Sequence, residues 1–258
     1  MKKILKFIMY NLFVYISHLA NAQNNKLSFE FSCGQHFFSM ENYNRYYIDA
    51  AGIENWGFKD GIKKGIGFYT AIKYKPTKFF DIGLSGNYQS GKTIGSPEMK
   101  IFNIMGEVIE THYGDFQYKS ETIGVGLVNS WYIDHILKFE EKRFKFINRC
   151  HLAIELYGGI GFSKMTSDLK YPTYPIAPGN FKIFTSDRDF QSQIALKLEF
   201  DYLKSPIIGS IGLKGGYQYF RTKTLKDRLG KEWIVTGNHP INLDFSGFFG
   251  AVFLTVGK

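Results

Sequence analysis

The chain has 258 residues, 17% of them aromatic, with 25 Phe, 17 Tyr and 27 Gly against 7 Pro and only 21% charged side chains. That mixture is too apolar for a disordered chain and lacks the Ala/Glu/Lys/Leu bias of a coiled coil. No apolar run of about 18 residues lies beyond the N-terminus, which excludes a helical membrane protein, and the formal charge of +9 is concentrated partly in the first segment.

That segment, residues 1–22, reads as a signal peptide. Lys2, Lys3 and Lys6 give a positive start, Phe7 to Ile16 an apolar core, and Ala20-Asn21-Ala22 the small-x-small pattern of a cleavage site before Gln23. The core, interrupted by Asn11, is too short for a transmembrane anchor. Cleavage leaves 29 basic against 23 acidic residues, or +6, a balance that does not by itself point to nucleic acid. Residues 23–258 are then read as one domain.

From Leu27 onward the apolar pattern has period two, which is the mark of half-buried strands. Leu27, Phe29, Phe31 and Cys33 form the first apolar face; Ile66, Phe68, Ile72 and Tyr74 the second; Phe80, Ile82, Leu84 and Tyr88 the third; Ile123, Val125, Leu127, Trp131 and Ile133 the fourth. Leu152 to Phe162, Ile194 to Tyr202, and Ile211 to Tyr219 repeat it. The eighth runs around Leu243, Phe245, Phe249 and Phe253, with a register blurred by the apolar Phe248, Val252 and Leu254. Eight strands of about nine to twelve residues, joined by connections that alternate between tight turns and loops of twenty residues or more, fit an all-β, up-and-down transmembrane barrel with four long extracellular loops. The charged segment Asp134 to Asn148 departs from this, being long where a tight turn is expected.

A soluble lipocalin-like barrel shares the alternation. The polar face separates the two readings: it is mostly Gly, Ser and Ala, which suits a crowded lumen better than a solvated surface. Tyr74, Phe80, Trp131 and Tyr202 toward the short turns, and Tyr88, Phe162, Tyr217 and Tyr219 toward the long loops, are placed as two aromatic girdles.

An eight-stranded lumen is filled by side chains, so an open pore is not expected. Glu30, Glu155, Lys197, Glu199, Lys214 and Asp244 fall at inward positions and read as a paired charge network plugging it, because buried charges need partners. Cys33 and Cys150 fall at opposite ends on the outward parity and are expected as free, lipid-facing thiols. Gly86 to Thr93 matches the phosphate-loop pattern letter for letter, but no strand–helix unit surrounds it; nucleotide binding is not expected, and the segment reads as a strand end entering a loop. His36, His112 and His239 lie near the long-loop side, with Ser39, Asp115, Asp244 and Ser246 as potential partners, yet their spacing picks out no triad. No catalytic residue, cofactor or metal site is expected. The fourth loop carries Arg221, Lys223, Lys226, Arg228 and Lys231, a basic patch suited to lipid phosphates or an acidic partner. Met40, Tyr43, Tyr47 and Ala51 recur at helical spacing, predicting a short amphipathic helix over the barrel mouth.

With the signal ending Ala20-Asn21-Ala22, the Gly-rich alternating strands and the final Leu243-Asp244-Phe245-Ser246-Gly247-Phe248-Phe249-Gly250, the chain resembles the eight-stranded outer-membrane β-barrel proteins. These are the class of the OmpA transmembrane domain and OmpX, and the porin-family barrels of Bacteroidetes-type bacteria look most similar. The resemblance implies residence in the outer membrane, contact with its lipids including lipopolysaccharide, and a terminal aromatic in the last strand, here Phe253. It also implies a non-enzymatic role in envelope integrity, adhesion or a larger outer-membrane or secretion complex. The alternatives are a lipid-modifying barrel enzyme and a soluble lipocalin-like carrier.

Overall fold

The computed structural model describes residues 26–45, 58, 60–137, 149–170, 182–201, 208–235 and 239–257. The expected signal peptide, Tyr47, Ala51 and Tyr202 lie outside them.

Eight long strands form the wall: β1 (Leu27–Phe37), β2 (Lys64–Thr77), β3 (Phe80–Gly95), β6 (Asp115–Tyr132), β7 (Cys150–Lys170), β9 (Asp189–Phe200), β10 (Ile208–Phe220) and β14 (Gly247–Val256). Each pairs antiparallel with the next in that order, and β14 returns to β1 from Phe29↔Val256 to His36↔Phe249, closing the barrel. Closure leaves no unpaired edge along the wall, the condition for a sheet to cross a bilayer. At one end β2 and β3 are joined through Lys78 and Phe79. The other end carries the long connections. They contain α1 (Glu41–Tyr43), the hairpin β4 (Glu98–Phe102) and β5 (Val108–Tyr113), β8 (Lys182–Ser186) with β11 (Leu225–Lys226), and β12 (Ile234–Val235) with β13 (His239–Pro240). The departure after β6 is the short helix α2 (Ile133–Ile136), and 138–148 lie outside the described residues.

The alternation resolves inside out relative to a soluble protein. Ile66, Phe68, Ile72, Ile82, Leu84, Ile123, Val125, Leu127, Ile194, Leu196, Ile211 and Leu213 are exposed on the wall, while Glu30, Lys73, Asn87, Gln89, Thr122, Glu155, Gln191, Lys197, Lys214 and Gln218 are buried inside it. A continuous apolar exterior around a polar core is stable in lipid and unstable in water. This excludes the lipocalin-like reading.

Three sequence expectations are corrected. The eighth strand begins at Gly247, so Leu243 and Phe245 precede it, and its parity is reversed: Phe249 and Phe253 face the lumen while Phe248, 69% exposed, and Val252 face outward. Alternation is uninformative where both faces are apolar; here the inward rings have partners, Phe249 stacking on His36 at 5.1 Å and Phe253 lying 4.3 Å from the Lys197 ammonium. The expected terminal aromatic, Phe253, is therefore a lumen residue. Gly86 to Thr93 is uninterrupted strand within β3 rather than a strand end, with Asn87 and Gln89 pointing inward.

Above the polar lumen, at the long-loop end, sits a second core. Phe38, Met40, Tyr43, Phe58, Ile62, Phe116, Tyr118, Met165, Phe220, Leu225, Ile241, Leu243 and Phe245 are buried together, with Phe184 and Trp233 packed against them. Met40 and Tyr43, from the predicted mouth helix, belong to it. The described start of this helix, Glu41–Tyr43, is entered through Met40 in a left-handed conformation (φ 42°).

Candidate functional site

The lumen is stratified by residue type. Nearest the short turns lies an ionic layer. Glu30 of β1 reaches three ammonium groups, with Lys73 Nζ 2.9 Å and Lys197 Nζ 2.7 Å from Oε2 and Lys214 Nζ 2.9 Å from Oε1. Glu155, on β7, takes Lys73 at 2.5 Å and Lys214 at 3.0 Å. Glu199 lies 3.4 Å from Lys197 and accepts from the Ser210 hydroxyl; the Tyr132 hydroxyl donates to Asp81 at 2.9 Å. A buried ion is tolerated when its lone pairs and protons are met by partners in good geometry, and Glu30 and Lys73 meet that condition. The cavities left among these groups amount to about 20 Å³ and about 10 Å³.

An amide layer follows. Gln89 and Gln218 exchange side-chain hydrogen bonds and share the Tyr69 hydroxyl; Asn87 and Gln191 exchange another pair at 3.2 and 3.3 Å. Room for these amides is made by glycine. A Cβ on Gly124 would stand 2.1 Å from Gln191 Oε1, and one on Gly67 would stand 2.3 Å from His36 Nε2.

The structure brings Glu30, Glu155, Lys197, Glu199 and Lys214 into the ionic layer. It does not bring Asp244, which precedes the delayed start of β14, bridges Arg221 through the backbone and accepts the Ser246 N–H at 2.9 Å. Sequence reasoning missed Lys73, Asp81, Ser130 and Tyr132. Lys73 and Asp81 sit on the inward parity of their strands, and that parity was the available signal.

His36 is buried among Phe38, Tyr69 and Phe249, and its hydrogen-bonding partner is the Tyr69 hydroxyl at 3.3 Å, not a serine. His112 belongs to the β4–β5 hairpin with Nε2 2.9 Å from Glu110, and His239 to β13. In the fourth loop Arg221, Lys223, Arg228 and Lys231 are exposed. Asp227 Oδ1 accepts the N–H groups of Leu229 at 2.8 Å and Lys231 at 2.9 Å, and Gly230 at φ 78° completes the turn that presents Arg228 and Leu229 at its tip. Lys226 differs: its hydrogen bond and charge pairing with Asp187 hold its ammonium above the ordinary lysine range. On the wall, Tyr74 and Trp131 are exposed toward the short turns, with Trp131 stacked on Phe80 at 5.5 Å; Phe162, Tyr217 and Tyr219 are exposed toward the loops, where Tyr88 donates to Glu121.

No family model and no curated protein matches the chain. Among solved structures it is similar to the attachment invasion locus protein Ail of Yersinia pestis in complex with the heparin analogue sucrose octasulfate (12% identity, 90% of this chain and 95% of that one, TM-score 0.31). It is likewise similar to a major outer membrane protein of Thermus thermophilus (9%, 88% and 99%, 0.35) and to the outer membrane protein OprG of Pseudomonas aeruginosa (12%, 90% and 97%, 0.33).

Proposed function

We propose that this protein is a non-enzymatic outer-membrane barrel with a closed lumen, whose long loops form a binding or scaffold surface at the cell exterior. The observation that carries the reading is the filling of the lumen: at the ionic layer the residual cavities, about 20 Å³ and about 10 Å³, accommodate at most isolated water molecules. On this reading a hydrated ion or small solute does not pass the Glu30 and Lys73 level. In planar bilayers the purified protein is therefore expected to give no single-channel steps above baseline; steady conductance at neutral pH overturns the closed-lumen reading.

The loop surface is read from the Arg228-Leu229 tip, where exposed cations flank a side chain that is 91% exposed. Lipopolysaccharide phosphates, or an acidic face of another outer-membrane or secretion-complex protein, supply the complementary charge. The double variant R228E/K231E is expected to lower association with lipopolysaccharide-containing vesicles and to flatten its salt dependence, while leaving the barrel folded. Unchanged association assigns the basic tip to solvent.

A further inference from the structure

At the short-turn end of the lumen, beside Tyr132 and away from the loops, α2 and the start of β7 assemble a cluster that neither of these readings uses. His151 Nδ1 lies 2.7 Å from Asp134 Oδ2, His135 Nε2 lies 3.9 Å from the same oxygen, and one donor atom from each of the three residues falls within 4.8 Å of the others. The other ring nitrogen of His151, Nε2, is 3.2 Å from Asp201 Oδ2, just beyond β9. Asp134 uses its second oxygen, Oδ1, to accept the backbone N–H of Leu152 at 3.3 Å, which ties the carboxylate to β7 and leaves Oδ2 toward the imidazoles.

We infer that Asp134, His135 and His151 bind a divalent transition-metal ion of the zinc type, with Asp201 orienting His151. Two imidazoles and one carboxylate are a donor set for Zn²⁺ and its neighbours rather than for Ca²⁺ or Mg²⁺, which take oxygen ligands. Metal–ligand bonds of about 2.0–2.1 Å in a tetrahedron separate ligand atoms by roughly 3.3 Å. The observed 2.7 and 3.9 Å to Asp134 bracket that edge, and with all three donor atoms within 4.8 Å of one another the site closes by side-chain movements of about 1 Å. Asp201 on the distal nitrogen of His151 is the carboxylate–histidine–metal arrangement that fixes a ring's tautomer and orientation. On binding, the ion takes the place of a proton between His151 Nδ1 and Asp134 Oδ2, that proton leaves to solvent, and the ring bound in its neutral form directs Nε2 at Asp201. The side chains of His135, His151 and Asp134 are 10%, 13% and 9% exposed, dry enough to favour coordination and open enough for an ion and one water to enter. The ion links the helix after β6 to the base of β7.

Cobalt is the probe. The full chain without an affinity tag, folded in detergent, is titrated with Co²⁺ and then Zn²⁺. One equivalent of Co²⁺ is expected to give visible d–d absorption of four- or five-coordinate intensity that Zn²⁺ abolishes. H135A and H151A are expected to lose it, and D201N to weaken Co²⁺ affinity about 10–100-fold. If a variant loses its boiling-dependent gel shift, and so its fold, the wild type decides: Zn²⁺ is expected to protect His135 and His151, located by peptide mapping, from diethyl pyrocarbonate. No saturable Co²⁺ uptake by the wild type, uptake that survives in folded H135A and H151A, or Zn²⁺ protection that bypasses both histidines overturns the inference.

Discussion

Glu30 shows how much one side chain controls in a lumen this narrow. Its carboxylate contacts Lys73, Lys197 and Lys214 at once, so E30Q removes a hydrogen-bonded partner from each of three buried ammonium groups and leaves them Glu155, Glu199 and Asp81. Removing one member of a buried ionic group costs about 3–5 kcal/mol, and E30Q is expected to lower the denaturant midpoint of the barrel in detergent by a corresponding amount. E30Q paired with K73M is expected to recover part of that loss, because cation and anion leave together; a double variant no better than the single one argues that the layer does not act as a unit. Glycine carries the complementary constraint. G124A forces a methyl toward Gln191 and Asn87, and overpacking of this kind costs about 1–3 kcal/mol. The thermal midpoint of the gel-mobility shift reads it.

At the level of single strands, the outward faces and the inward faces answer to different solvents. Leu84, 66% exposed on β3, lies midway between Phe80 and Tyr88, the two positions of that strand expected at the girdles. L84R is expected to destabilise the barrel in lipid by about 2–4 kcal/mol, the cost of arginine at the bilayer midplane, and to have far less effect at a girdle position; a depth-independent cost in phospholipid vesicles contradicts the placement of the membrane. The strands were legible in the sequence for the same reason. Seven of them alternate a large apolar residue with a small or polar one, so period and parity follow directly from Ile66-Gly67-Phe68 or Ile194-Ala195-Leu196. The eighth was not, because Phe248-Phe249 and Phe253-Leu254 are apolar on both faces, and only the contacts of Phe249 with His36 and of Phe253 with Lys197 decide which ring turns inward. The ionic layer was legible as inward parity but not as a set of partners. Lys73 of β2 reaches Glu155 of β7, 82 residues further along the chain, information that period two does not contain.

Over the whole molecule, two unlike sets of residues occupy the barrel, ions and amides within the wall and a loop-derived apolar core at the mouth, and on the proposed reading both close the lumen. These closures are independent in chemistry. Substitutions at Glu30 or Lys73 act on the first, whereas substitutions in the cap act on the second. F220A, which truncates a fully buried cap ring, is expected to cost about 3–5 kcal/mol of stability without opening a conducting path, since the ionic and amide layers lie beneath it. Ion conduction by F220A in planar bilayers disproves that arrangement. The mouth core escaped sequence reading because its members come from segments with no shared period, Met40, Phe58, Phe116, Leu225 and Phe245 among them.

The two unpaired thiols give the wall a built-in polarity marker. Cys33 is outward on β1 beside Phe68, which pairs with Tyr88, a residue expected at the loop-side girdle, whereas Cys150 opens β7 opposite Phe200 at the other rim. Each native cysteine thus samples one membrane interface. Membrane-impermeant maleimides applied to either side of sealed vesicles, followed by mass mapping of Cys33 and Cys150, read the orientation of the inserted chain without engineering a single residue.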